Sequence, residues 1–173
     1  MQYSSCWHNK LQGGLFLLAF LTWGIGDAVT CLWMIEKRGM MGEANLIAQY
    51  IISNYGASSF IVMKIWFTTI VLFFIPFLMQ KRSDEPVYWM INGYFLSFFI
   101  AGALAMILNI QAARNEALLL SPEQVIFLFL SSIFIFTSIG EEIDKRTNPR
   151  IRSYFDCFLY DIAKCLAFII NKN

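Results

Sequence analysis

Charged residues are scarce in this chain. They make up 14% of 173 residues, against about a quarter in ordinary soluble domains. With 58% of the residues hydrophobic, that shortage points to a solvent other than water. The net charge of +1 offers no basic field to hold nucleic acid. Histidine is limited to His8, so no metal-spaced histidine pair exists, and no glycine-rich phosphate loop is present. The cysteines, Cys6, Cys31, Cys157 and Cys165, form no C-x-x-C pair. The expectation is free, mostly buried thiols rather than a disulfide framework. No cofactor, metal or catalytic set is implied.

What is abundant is apolar. Seventeen Phe and five Trp suit lipid and its interface. A helix needs about 20 mostly apolar residues to cross the hydrocarbon core, and four stretches qualify: 11–35, 57–79, 87–110 and about 122–140. Their apolar runs are continuous rather than alternating, which argues against a barrel. The sequence therefore predicts an all-α, polytopic transmembrane helical bundle. The first stretch follows a single basic residue, Lys10. Its length and the lack of a small-residue cleavage site set it apart from a signal peptide, so it reads as a retained span.

Lysine and arginine positions set the orientation. With the N-terminus inside, the inner side holds Lys10, Lys81, Arg82, Lys145, Arg146, Arg150, Arg152, Lys164 and Lys172, and the outer side only Lys37, Arg38 and Arg114. Both termini are then cytoplasmic in a multi-pass protein of the cell membrane. Residues 1–140 form the four-span domain and 141–173 a cytoplasmic tail. Within the tail Ile151, Tyr154, Phe155, Phe158, Leu159, Ile162, Leu166 and Ile169 share a helical stripe. That amphipathic helix either docks on a partner or the membrane surface, or packs along the inner mouth of its own bundle. A fifth span there would place Asp156, Asp161 and Lys164 in lipid. Between the first two spans, Leu46, Ile47, Tyr50 and Ile51 fall at helical spacing in a segment too short and polar to cross, which predicts a short helix in the outer interface.

Two charges sit inside spans, Asp27 and Lys64. Each costs about 2.5 to 3.5 kcal/mol at the bilayer centre, so something must offset the cost. Asp27 lies eight residues before Ile35 and Lys64 seven after Ala57. At about 1.5 Å per residue, both sit roughly 10 to 12 Å inside the outer ends of their helices. Consecutive spans run antiparallel, so the two are expected to pair or share a pocket. Glu43, Asn45 and Asn109 belong to the same outer region, and Thr30, Cys31 and Thr68 extend the faces of the charged pair. In the third span Gly93, Ser97, Ala101, Ala105 and Asn109 recur every four residues, a stripe that lets helices approach and turns Asn109 inward. Gly24 and Ala28 offer a similar surface on the first span, and Ser131 and Ser138 on the fourth.

The elements Asp27-Ala28-Val29-Thr30, Glu43-Ala44-Asn45, Lys64 and Asn109 resemble those of a family of small prokaryotic, largely archaeal, multi-span membrane proteins known only as a domain of unknown function. The resemblance covers about 15–110. Its pattern is D-x-x-T in the first span, then E-A-N-P, then a lysine; here Leu46 stands where proline is usual. It brings no activity but implies the same residues that depth and spacing select.

The candidate site is thus Asp27, Thr30, Glu43, Asn45, Lys64 and Asn109. It can serve as a lock between helices, as a ligand, ion or proton site, or as an acid–base centre. No activated nucleophile completes the last. The leading expectation is a non-enzymatic membrane protein: an accessory subunit or a bundle that binds a small ligand, with the lipid bilayer, a membrane-protein partner or a second copy of itself as partners. An ion- or proton-coupled transporter and a membrane enzyme acting on lipid are the alternatives.

Overall fold

The structure, a computed structural model, describes residues 3–43, 45–82 and 87–147. The expected amphipathic helix of the tail lies outside these residues. Among them every regular element is helical. Four helices are long and apolar enough to cross a membrane: Lys10–Arg38, Leu46–Gln80, Tyr88–Ala113 and Pro122–Arg146.

The third helix is the hub. Tyr88, Ile91, Phe95 and Ser97 are fully buried along it. The first helix packs on it in parallel, with Phe16 against Phe95 near one end and Asn109 against Asp27 further along. The second helix packs on the first in the opposite direction, with Trp23 against Phe67 and Asp27 against Lys64. The fourth runs antiparallel to the third, with Phe98 on Phe129 and Trp89 on Asp144. The end at which the first helix finishes and the second begins is called the upper end below.

Glycine permits the closest approaches. A Cβ on Gly93 would lie 2.3 Å from the Phe136 carbonyl oxygen, and one on Gly140 2.4 Å from that of Trp89. The expected stripe is therefore used at Gly93, whereas the fourth helix approaches through Gly140 rather than Ser138, which is exposed. Away from this seam the fourth helix presents Phe127, Leu130 and Phe134 outward, the apolar surface a helix in lipid requires.

Two helices depart from α geometry midway, through π-helical stretches at Phe20–Gly26 and Ile70–Phe74. The second has a cause in the sequence. Proline lacks an N–H and cannot serve a carbonyl one turn back. In π register the Val71 carbonyl would meet residue 76, which is Pro76. The Tyr94 hydroxyl donates to that carbonyl instead, at 3.1 Å.

The fourth helix continues to Thr147, past residue 140, where the sequence reading ends the span and begins a tail. The extra turns pack on the bundle through Asp144, which is 2% exposed. Its carboxylate accepts from the backbone N–H groups of Trp89 and Met90, each at 3.0 Å. The third helix starts with Val87 at its N-cap, which has no acceptor side chain, so Asp144 caps it from a neighbouring helix. Asp144→Ala should cost about 2 kcal/mol in the unfolding of detergent-purified protein, with Asp144→Asn recovering part. No change in either variant would show the cap to be idle.

Candidate functional site

The first helix carries Asp27 just beyond its π-helical stretch, one turn above Trp23, and Lys64 faces it from the second helix. Asp27 Oδ2 lies 2.8 Å from Lys64 Nζ, with the side chains only 17% and 19% exposed. The ammonium also sits over the Trp23 ring, 5.0 Å from its centroid, a second favourable contact for a cation held away from water. Depth matching thus brings together the two charges that hydropathy alone would keep out of the bilayer.

Asn109 completes the carboxylate's partners from the third helix. Its Nδ2 donates to Asp27 Oδ1 at 2.9 Å and to Thr30 Oγ1 at 3.2 Å. The Thr30 hydroxyl in turn donates to the Gly26 carbonyl at 2.8 Å. Both oxygens of Asp27 are therefore engaged, one ionically and one by an amide, and three helices meet at one side chain.

Glu43 closes the upper side. A 3-10 turn at Met40–Gly42 follows Gly39, whose φ of 79° favours glycine. The turn folds the chain back over the end of the first helix. The buried Cys31 thiol donates to Glu43 Oε2 at 2.8 Å, and the Asn45 backbone N–H to Oε1 at 2.7 Å. Gln49 Nε2 donates to the Glu43 carbonyl.

Asn45 starts the next helix. Its side-chain oxygen accepts from Ile47 N at 3.0 Å and Ala48 N at 3.4 Å, an N-cap. The following stretch is helical up to Gly56, where φ 83° and ψ 168° break the helix before it resumes toward Lys64. Leu46 occupies the first helical position, where an N–H has no intrahelical partner and proline is welcome. The preceding residue has φ −85° and ψ 107°, which a following proline also favours. Leu46→Pro should therefore be neutral or stabilise by about 0.5 kcal/mol. A loss of more than about 1 kcal/mol in the same unfolding assay would contradict this start of the helix.

All six residues named from the sequence meet here, together with Cys31, which the sequence placed on the face of Asp27. All of them but Thr30, which is tied to the cluster through Asn109, line a cavity of about 320 Å³, with Phe60 and Phe67 beside them. Trp23 is the contributor that sequence reasoning missed; its position one turn below Asp27 was the available signal. Thr68, expected to extend the site, is fully buried against Gly24 instead, its hydroxyl without a hydrogen-bond partner among the described residues. Below the cavity, Trp23 packs on Phe67 with ring centroids 5.8 Å apart and on Phe98 at 4.6 Å. Among the described residues no group of His, Cys, Asp and Glu could hold a metal ion.

Residues 18–115 match a family described as Domain of unknown function (DUF5658). The matched stretch contains the whole cluster, from Trp23 to Asn109, and ends before the fourth helix begins at Pro122. No curated protein and no solved structure matches.

Proposed function

This chain belongs to the family described as Domain of unknown function (DUF5658), and from that premise we propose that it is a non-enzymatic integral membrane protein that binds a small polar ligand in the outer leaflet. The cavity among Asp27, Glu43, Lys64 and Asn109 carries the reading. A structural lock needs only the pair, whereas here the pair forms one wall of a space to which Glu43 adds a second carboxylate. Two carboxylates against one ammonium favour a ligand that brings positive charge or hydrogen-bond donors. The aromatic packing of Trp23 with Phe67 and Phe98 beneath the cavity favours a dead-end pocket over a conduit. In the cell membrane, with the termini cytoplasmic, the pocket opens outward, and lipid covers the apolar faces of the second and fourth helices.

The test compares small molecules released from mildly purified wild-type protein with those from the Asp27→Asn/Lys64→Met double variant, by mass spectrometry. At least one species near one per protein should accompany the wild type and be lost in the variant. Identical extracts would leave the cluster as a lock between helices.

A further inference from the structure

A second, larger space adjoins the polar pocket. It is a groove of about 680 Å³ at the upper end, and Glu43, Asn45, Ile47 and Asn109 line both spaces. Beyond that shared wall the groove is aliphatic, with Ala105, Leu108, Leu118, Leu120, Val125 and Ile126. It follows the third helix from Ala112 down to Ala105, a depth of about 10 Å at 1.5 Å per residue. A polar metabolite gains nothing from such walls; a hydrocarbon chain does.

Its rim is charged with both signs. Arg38 and Glu43 both line the groove, and among the described residues neither forms an ion pair. Among the described residues the Glu43 carboxylate receives only neutral donors, the Cys31 thiol and the Asn45 N–H. Glu123 lines the same groove, so a purely anionic headgroup would meet two carboxylates and one guanidinium. A headgroup with both an ammonium and a phosphate meets a partner for each.

We propose that this groove holds one acyl chain of an amine-bearing phospholipid, with the headgroup ammonium at Glu43 and its phosphate at Arg38. The assignment goes beyond the polar pocket to a second ligand, whose headgroup meets Glu43 on the wall that the two spaces share.

The experiment is native mass spectrometry of the full-length protein in detergent, offered equal amounts of phosphatidylethanolamine and phosphatidylglycerol. The wild type should retain the ethanolamine lipid about tenfold more. Glu43→Gln should bring that ratio close to one. Arg38→Gln, at an exposed rim position, should weaken both lipids and keep the ratio, and Leu108→Trp, which fills the groove, should lower retention of both. Equal retention by the wild type would overturn the proposal, as would a ratio that survives Glu43→Gln. If Glu43→Gln does not fold, unaltered retention in both Arg38→Gln and Leu108→Trp overturns it. Soluble glycerophosphoethanolamine competing as well as the lipid would also remove the acyl chain from the assignment. Failure here leaves the copurified species of the preceding test in place. Identical extracts in that preceding test, with the lipid preference intact, would support the groove and sink the separate polar pocket.

Discussion

Lys64→Met should lower the unfolding free energy by about 3 kcal/mol, and adding Asp27→Asn should restore a large part of it. Removing one member of a buried pair leaves a charge with no counter-ion, at a cost of about 3–5 kcal/mol. The lower end of that range applies. Asp27 keeps the Asn109 amide at 2.9 Å after the change, and the pair is not wholly sealed from solvent. The single variant also loses the contact of the ammonium with Trp23, which the double variant cannot recover. The double variant should therefore fall between single variant and wild type. A coupling energy near zero in the cycle, with the damage of the two single variants simply adding in the double, would mean that the two side chains do not pair in the membrane.

Gly102→Val should be at least as damaging, for a reason that does not involve charge. A Cβ at Gly102 would lie 2.4 Å from the Trp23 backbone nitrogen, 2.7 Å from its Cα and 2.8 Å from the Thr22 carbonyl carbon. These are backbone atoms and cannot rotate away, so the first and third helices must separate. Overpacking of a close-packed interior costs about 1–3 kcal/mol. A clash with backbone belongs at or above the top of that range. The site should suffer with it. Asn109 stands on the same helix, two turns above, and reaches Asp27 only while the two helices are close. Unfolding of purified protein reads the stability, and the copurified ligand reads the site; both should fall. Gly14→Val is the matched control, since a Cβ there meets nothing within 4 Å among the described residues. If Gly102→Val melts like that control, the helix contact is not as close as described.

The charged pair was legible because two physical quantities convert sequence into position. The rise of a helix turns residue counts into depth, and the cost of a lone charge in lipid demands a partner at that depth. Asp27 and Lys64 follow from those alone. Glu43 and Asn45 were legible as candidates but not in their roles, because a thiol acceptor and a helix cap depend on how the chain turns at Gly39 to Gly42. The stripe from Gly93 to Asn109 pointed to close packing, yet Gly102 lies beside it, because the third helix has two neighbours and needs two seams. Asp144 falls within the stretch 141–173 assigned from sequence to the tail, among the charged residues Glu141, Glu142, Lys145 and Arg146. Those four pair with one another at the surface, Lys145 to Glu141 and Arg146 to Glu142. Asp144 alone turns inward to the uncapped helix start. The π-helical stretch at Phe20–Gly26 contains no proline to announce it. The groove was beyond reach, because it forms between connections whose paths only the folded chain sets.

A high-resolution cryo-EM map of the natively purified protein in a lipid nanodisc addresses the site itself. It should contain density, larger than a water and not part of the chain, touching Lys64 and Glu43 between the first and second helices. A map in which Asp27 and Lys64 pair as before while side chains close the space between them and Glu43 would contradict a ligand site there.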